Sequence, residues 1–202
     1  MKREFSKNDF FTKKAKQENY PARSVYKLQD IDNKFKIFRK SDWVLDLGCA
    51  PGSWLLYIGN KVSITGKVVG VDVLDLNTQP LNNTLFIKKN VLDEDLLESG
   101  PLGSASFNVV VSDMAPNTTG LLEVDVANCL ELTNRALEIA KKVLTENGNF
   151  VCKVFEGLGT DAFVKEAKKY FQMVKKYRPQ AVRRGSKEIY LIAKGFKNIK
   201  IL

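Results

Sequence analysis

The stretch that decides the fold is Val44-Leu45-Asp46-Leu47-Gly48-Cys49-Ala50-Pro51-Gly52-Ser53-Trp54. It starts as an apolar strand, breaks into a turn of small residues and then enters a helical pattern. Glycine lets the backbone approach a ligand where a Cβ would clash, and open α/β sheets bind ligands beyond the carboxyl ends of their strands. The turn is therefore a candidate ligand site; the alternative is a tight strand–helix turn without a ligand.

Two carboxylates flank this candidate site. Asp46 lies just before the turn, where it could hold an amine or backbone amides. Asp72 ends a second apolar run, residues 68–72, and an acidic residue there can accept both hydroxyls of a ribose. A lone Asp at a strand end is more often a helix cap or a solvated side chain, but its place after the first motif favours the ribose ligand. A nicotinamide-dependent dehydrogenase would need Gly-x-Gly-x-x-Gly in the turn, and the sequence Gly-Cys-Ala-Pro-Gly argues against that class.

Strand and helix patterns alternate on both sides of the quoted stretch. Strands are predicted over residues 43–47, 67–72, 85–88, 108–112, 149–155 and 189–193. Several are almost continuously apolar, as in strands that are buried on both faces of a parallel sheet. Helices are predicted over residues 22–35, 124–144 and 161–171, and Asn147-Gly148 is expected to end the second of these. The alternation predicts an α/β fold with a mostly parallel central sheet and helices on both faces.

Length and composition set further limits. A chain of 202 residues suffices for one domain, which we predict as a basic extension and helix over residues 1–40 and an α/β core over residues 41–195. No apolar run reaches the roughly 20 residues that span a bilayer, and the N-terminus lacks the apolar centre of a secretory signal. The sparse cysteines Cys49, Cys129 and Cys152 are expected to be reduced. We therefore expect an intracellular protein, in the cytoplasm or in an organelle if a presequence has been removed.

Basic residues concentrate at the two ends of the chain. Residues 1–40 carry 12 Lys and Arg against 5 Asp and Glu, residues 41–152 carry 7 against 14, and residues 153–202 carry 13 against 4. We predict that the two basic flanks meet in space and form a face that binds a polyanion; solvated surface charge is the alternative. Charge alone does not separate RNA from DNA or an anionic membrane.

Four polar residues are expected to converge at the ends of the strands: Lys27, Asp113, Lys153 and Glu188. Lys153 lies inside an apolar strand, where an unpaired lysine is costly to bury. It therefore needs a carboxylate partner or a catalytic role, and pairing for stability alone is the alternative. The chain contains no histidine, which excludes His-based triads, His general bases and most zinc sites; no metal is expected.

From about Asp9 to Gly195, these segments together resemble the FtsJ/RrmJ family of ribose 2′-O-methyltransferases. The resemblance implies a Rossmann-like class I methyltransferase fold, S-adenosyl-L-methionine as cofactor and a catalytic Lys-Asp-Lys-Glu tetrad. Here that tetrad is Lys27, Asp113, Lys153 and Glu188. Lys153 would orient the 2′-hydroxyl and accept or steer its proton, and Asp113 would hold Lys153 near the methyl group. The other two residues would complete the network and fix the ribose.

The resemblance also implies the cofactor-binding residues. Gly52, Trp54 and Asp72 would line the cofactor, Ser53 replaces a frequent glycine, and Asn90 stands where the family often has an Asp that contacts adenine. The predicted cofactor set is Asp46, Gly48, Ala50, Pro51, Gly52, Ser53, Trp54, Asp72, Val73, Asn90, Val91 and Asp113.

Within that family, the motifs indicate which RNA is modified. Ser-Asp-Met-Ala-Pro-Asn and Lys-Val-Phe-x-Gly-x-Gly resemble the large-subunit ribosomal RNA branch, whereas the tRNA anticodon-loop branch tends to have Ser-Asp-Gly-Ala-Pro-Asp and Lys-Val-Phe-Arg-Gly. Met114, Asn117 and Glu156 therefore favour a uridine of large-subunit ribosomal RNA over tRNA. A viral-type cap methyltransferase matches less well, and the intact tetrad argues against a non-catalytic RNA-binding module of the same fold.

The expected partner is structured RNA, either free large-subunit RNA or the assembled subunit, with no membrane and no metal, and the chain is expected to act as a monomer. The basic flanks would supply the phosphate contacts. The candidates are Lys13, Lys14, Lys16, Arg23, Arg183, Arg184 and Lys187.

Overall fold

In the computed structural model, which describes residues 2–98, 102–103, 106–116 and 119–198, seven strands form one central sheet. In chain order they are β1 (Trp43–Leu47), β2 (Lys67–Asp72), β3 (Thr84–Lys88), β4 (Phe107–Ser112), β5 (Leu144–Phe155), β6 (Phe171–Tyr177) and β7 (Glu188–Phe196). Across the sheet the order is β3-β2-β1-β4-β5-β7-β6. Neighbours from β3 to β5 are parallel, whereas β7 runs antiparallel to both β5 and β6. The predicted α/β fold with a mostly parallel sheet is confirmed.

Helices cover both faces of this sheet. They are α1 (Lys2–Gln17), α2 (Val25–Phe35), α3 (Ser53–Val62), α4 (Leu122–Val143) and α5 (Thr160–Tyr170), with a 3₁₀ turn at Glu94–Leu97. Successive strand side chains point to opposite faces, so Val44 packs with α2 and α3 while Leu45 packs with α4 and α5. This two-sided burial explains why the strands are almost continuously apolar.

The helix predicted to end at about Leu144 ends one residue earlier, but the prediction that Asn147-Gly148 stops it and turns into the next strand was wrong. Helix α4 already ends at Val143 and β5 starts at Leu144, so the pair lies inside the strand. Asn147 has φ +63°, and the pairing of β4 with β5 shifts register between Phe107 and Val109. A Cβ on Gly148 would lie 2.9 Å from the Thr145 carbonyl oxygen. The pair therefore accommodates an irregularity of β5, for which Asn and Gly are the permissive residues.

The basic N-terminal region packs on the core through its apolar side. Ala15 of α1 is buried, with Phe11 packed against it, in a small cluster that also contains Tyr26 and Ala181. Nothing in the sequence pattern predicted α1, and the division of the chain into a 1–40 extension and a 41–195 core within one domain stays a prediction. None of the described helices is long and apolar enough to cross a membrane.

Candidate active site

The four predicted tetrad residues meet at one edge of the sheet. Asp113 follows β4, Lys153 lies near the end of β5, Glu188 begins the antiparallel β7, and Lys27 reaches them from α2. Lys27 Nζ lies 2.6 Å from Glu188 Oε1 and 4.0 Å from Asp113 Oδ1. Lys153 Nζ lies 3.2 Å from Asp113 Oδ1 and also donates to the Asp113 carbonyl oxygen. Two ammonium groups and two carboxylates thus form one network.

A fifth residue of this network, Tyr190, was not predicted. Its hydroxyl lies 2.5 Å from Asp113 Oδ1 and 2.8 Å from Glu188 Oε1, so the two carboxylates share its single proton, and its ring is fully buried. Tyr190 pairs with Lys153 in the β5–β7 register. The signal in the sequence was its spacing of two from Glu188, which places both side chains on the same face of a strand. The Tyr190 hydroxyl therefore lies between the carboxylates of Asp113 and Glu188.

The charges of this network fix the protonation of two members. Burial raises the pKa of Asp113, but the ammonium groups of Lys153 and Lys27 and the hydrogen bond from Tyr190 outweigh burial, and the pKa ends below its ordinary value. Burial and the carboxylates of Asp113 and Glu188 raise the pKa of Tyr190 well above its ordinary value. Asp113 therefore remains a carboxylate, and Tyr190 remains a hydrogen-bond donor at neutral pH.

Asp46 is the clearest sign of a ligand beside this network. It is completely buried, and among the described residues neither side-chain oxygen has a hydrogen-bond partner. Burial raises the pKa of this carboxyl well above its ordinary value, and the carboxylates of Asp113 and Asp72 raise it further. A buried polar group without a partner carries a desolvation cost. A ligand that brings a cationic donor would remove that cost.

Asp72 ties the turn after β1 to the end of β2. Its Oδ2 accepts the Ala50 N–H at 2.9 Å, and its Oδ1 accepts the Leu74 N–H at 2.9 Å. Each oxygen of a carboxylate can accept a second hydrogen bond, so both remain able to receive a hydroxyl of a ligand. Gly48 and Gly52, with φ of +76° and +108°, give the turn its shape.

The residues expected around adenine lie at the ends of β2 and β3. Val73 is 53% exposed, Val91 is buried, and Asn90 is exposed, with its side-chain oxygen accepting the Leu92 N–H at 3.0 Å. The amide group of Asn90 can still meet a ligand, but one lone pair of its carbonyl oxygen is used within the chain.

The side chains of Ser53 and Trp54 contact the segment that precedes α2. Ser53 Oγ accepts the Ala22 N–H at 2.7 Å and donates to the Ala22 carbonyl oxygen at 3.0 Å. The Trp54 indole donates to the Ser24 carbonyl oxygen at 3.0 Å, and its ring packs 6.0 Å from that of Tyr190. These buried side chains hold the segment that leads into α2, and so position Lys27. Ser53 could therefore contact a cofactor through its backbone but not through its hydroxyl.

The two basic flanks meet beside the tetrad, at what we call the arginine cavity. It has a volume of about 330 Å³. It is lined by Ala22, Arg23, Ser24, Lys27, Ala181, Arg183, Ser186 and Glu188. Arg23 donates to the Ala181 carbonyl oxygen at 2.6 Å. Burial lowers the pKa of Arg23, and the charge of Arg183 lowers it further. The cavity therefore places two guanidinium groups near each other, as a phosphate site requires.

The other predicted RNA contacts are spread over the surface. Lys14 lies 3.7 Å from Glu18 and 4.7 Å from the centre of the Tyr26 ring, both local contacts. Four further candidates are exposed: Lys13, Lys16, Arg184 and Lys187. Within the described ranges, no three Cys, Asp or Glu side chains group in a way that could hold a metal ion.

The sheet order, the turn after β1, the carboxylate that ends β2 and the polar network at the same edge define a Rossmann-like methyltransferase. The chain belongs to the FtsJ-like methyltransferase family, whose sequence model matches residues 20–196. It is 44% identical to the ribosomal RNA large subunit methyltransferase E of Desulfatibacillum aliphaticivorans, over 91% of this chain and 88% of that one. It is also 44% identical to the protein of that name from Brachyspira hyodysenteriae, over 95% and 97%.

Solved structures give the same fold. A ribosomal RNA methyltransferase from Plasmodium falciparum superposes with a TM-score of 0.75 and 26% identity, over 88% of this chain and 98% of that one. Human methyltransferase-like protein 13, solved in complex with SAH, superposes with a TM-score of 0.60 and 16% identity, over 88% and 82%. The second likeness is one of fold alone.

Proposed function

We propose that this methyltransferase transfers a methyl group from S-adenosyl-L-methionine to a ribose 2′-hydroxyl of large-subunit ribosomal RNA, at a uridine. The observation that carries the proposal is the buried Lys153 ammonium held against Asp113, with the Lys27–Glu188 pair beside it. The large-subunit RNA named for the relatives supports the choice of substrate. Met114, Asn117 and Glu156 support it further, because they stand at the positions that resemble the ribosomal RNA branch; Asn117 lies outside the residues that the structure describes.

The residues at the turn fit the cofactor. The α-ammonium group of S-adenosyl-L-methionine would supply the donor that the buried Asp46 carboxylate lacks. Its ribose hydroxyls would use the remaining lone pairs of Asp72, with Asn90 and Val91 toward the adenine. When bound, the cofactor supplies an electrophilic methyl group on a sulfonium.

The chain's own residues position the acceptor oxygen. Lys153 Nζ is fixed by two oxygens of Asp113, so it can hold a 2′-hydroxyl in one orientation. The ammonium form would steer the hydroxyl, and the neutral amine, after it has released one proton, would accept the hydroxyl proton. The Lys27–Glu188 pair lines the arginine cavity as well as the network, and would fix the ribose between them. A positioned reactant gains a large share of its rate from orientation, which is what this rigid network provides.

Labelled methyl transfer tests the proposal. Purified protein is incubated with methyl-labelled S-adenosyl-L-methionine and either undermethylated large ribosomal subunits, free large-subunit RNA or tRNA. The expected product is a 2′-O-methylated uridine from the large-subunit RNA. Label in tRNA instead would favour the anticodon-loop alternative, and label in no RNA would favour a non-catalytic RNA-binding module. Residence in the cytoplasm or an organelle and a monomeric state stay predictions.

Asp46→Asn should change cofactor binding and apoprotein stability in opposite directions. The raised pKa of Asp46 in the folded state means that ionisation at neutral pH costs stability; the folded protein loses that stability as pH rises from the unfolded pKa toward the folded one. Asn does not ionise, so the cofactor-free variant should melt at or above the wild-type temperature at pH 8. Its affinity for S-adenosyl-L-methionine should fall at least about tenfold, because a charge-assisted hydrogen bond is lost. Calorimetry and thermal melts from pH 5 to pH 8 measure both, and unchanged affinity would remove Asp46 from the site.

Arg183→Glu should weaken RNA binding and its dependence on salt. If Arg183 neutralises a phosphate in the arginine cavity, its loss should reduce the slope of log affinity against log salt by about one unit, since fewer counterions are released. Affinity for S-adenosyl-L-methionine should not change. Lys168→Glu, with the same charge change at an exposed residue of α5 outside both the cavity and the predicted RNA contacts, is the matched control. Equal slopes for the two variants would contradict a specific phosphate site in the cavity.

A further inference from the structure

A second and larger cavity, the α4 cavity, lies between the start of α4 and the loop after β5. It has a volume of about 630 Å³, within the range of about 300–1,000 Å³ typical of small-ligand sites. Its walls are apolar side chains of α4, Val126, Ala127 and Leu130, together with loop residues 157–159. Glu123, Glu156 and Lys187 form a polar rim. None of these residues belongs to the tetrad or to the predicted cofactor set.

The loop after β5, residues 157–159, packs closely against α4. A Cβ on Gly157 would be 3.1 Å from the Val126 methyl carbons, and one on Gly159 would be 2.6 Å from Leu130 Cδ1. Gly159 also has φ +88°, a conformation that favours glycine. Between the two glycines, Leu158 is 93% exposed. Leu158 is thus a large apolar side chain exposed to solvent beside an apolar cavity, where a bound ligand could cover it.

The α4 cavity shares its rim with the active site. The Glu156 N–H donates to the Lys187 carbonyl oxygen at 2.8 Å, which joins the loop after β5 to the segment before β7. Glu156 lies three residues after Lys153, and Lys187 directly precedes Glu188. An RNA strand whose ribose reaches Lys153 can therefore also reach this rim.

We infer that the α4 cavity binds a nucleobase of the RNA substrate, one next to the ribose that is methylated; this inference rests on the proposed function. A nucleobase has apolar faces and a polar edge, which match the apolar walls and polar rim. Carboxylates such as Glu123 and Glu156 accept hydrogen bonds from base amino and imino groups, and Lys187 can pair with the adjoining phosphate. Recognition of unstacked bases is the usual route to sequence-specific RNA binding.

Filling the cavity tests the inference. Ala127 is exposed on α4, so Ala127→Trp places a large side chain in the cavity without entering the core. We expect kcat/KM for RNA to fall at least tenfold, with the Kd for S-adenosyl-L-methionine and the Tm unchanged. Asn134→Trp, at an exposed position of the same helix outside the cavity, is the matched control and should behave as wild type. Leu158→Ser, which alters only an exposed side chain, should lower kcat/KM in the same way.

Abasic RNA identifies the bound base. A series of substrates lacks one base at each nucleotide flanking the methylated position. Wild-type protein should lose at least tenfold in kcat/KM at one flanking position, and Ala127→Trp should lose nothing further there. A loss in Ala127→Trp that is added equally at every position would overturn the inference, as would activity equal to wild type in both cavity variants. Those results would leave the proposed function intact, whereas a wild-type protein that methylates no RNA ribose would overturn the proposed function itself.

Discussion

Lys153→Met should lower turnover by at least about 10²-fold, the lower range for a positioned acid–base group, while the Kd for S-adenosyl-L-methionine stays close to wild type. Methionine keeps the length of the side chain and its packing in the apolar strand but removes the amine. The amine contacts two oxygens of Asp113 and no predicted cofactor ligand other than Asp113. Single-turnover methyl transfer on a confirmed RNA substrate, with cofactor binding measured by calorimetry, gives both quantities.

The melting temperature of the variant measures how much Lys153 contributes to the stability of the fold, apart from its role in turnover. Asp113 has a lowered pKa because of Lys153 and Lys27, so the pair contributes stability above the unfolded pKa of the carboxyl, and that contribution is lost as pH falls through the folded pKa. Lys153→Met should therefore cost some stability at pH 7, although Tyr190 and Lys27 still hold Asp113. Adding Asp113→Asn removes the uncompensated charge, so the double variant should regain stability; its turnover should stay low in any case, because Asp113 is itself a member of the tetrad.

Lys153→Arg completes the test. Arginine keeps the positive charge, and therefore the pairing with Asp113, but it does not release a proton at any pH compatible with folding and its guanidinium is planar. We expect a stable protein with turnover as low as that of Lys153→Met. Turnover near wild type in either single variant would show that Lys153 only neutralises Asp113.

The parts of this molecule that local sequence determines were predicted well. Strands β1, β2 and β4 are buried on both faces, so each shows an almost continuous apolar run of strand length. Strand β6 was missed, and its residue Phe171 was assigned to the preceding helix. Its sequence, Phe-Gln-Met-Val-Lys-Lys-Tyr, is only partly buried at the edge of the sheet, and its strand state depends on pairing with the distant β7.

In the active site too, some residues could be identified from local sequence, whereas others depend on contacts between distant segments. Lys153 was recognisable as a lysine in an apolar strand, whereas the assignment of all four tetrad residues came from the family resemblance. The partners of Ser53, Trp54 and Tyr190 were not recognisable. Ser53 and Trp54 contact a segment about 30 residues earlier in the chain, and Tyr190 reaches Asp113 from 77 residues later. Such contacts follow from the packing of α2 and the register of β7, which no local pattern encodes.

Asp72→Ala should weaken binding of S-adenosyl-L-methionine by about 1.5–3 kcal/mol, or about 10- to 150-fold, because charge-assisted hydrogen bonds to the ribose are lost. The structure adds a second reason for a loss, since Asp72 also holds the backbone of Ala50 and Leu74. Calorimetric titration of the variant measures the total effect. Affinity equal to wild type would mean that Asp72 serves only the turn.

A cofactor analogue without ribose hydroxyls separates these two effects. Against wild-type protein, an S-adenosylhomocysteine analogue lacking both hydroxyls should bind more weakly than S-adenosylhomocysteine. The factor should be no larger than that of Asp72→Ala, because the variant also loses the contacts of Asp72 with the Ala50 and Leu74 N–H groups. If Asp72 receives the hydroxyls, the variant should bind the two compounds almost equally, because the interaction removed by one change is no longer available to the other. If Asp72 acts only through the Ala50 and Leu74 N–H groups, the two losses should add. The size of that coupling energy thus measures ribose recognition by Asp72 independently of its structural role.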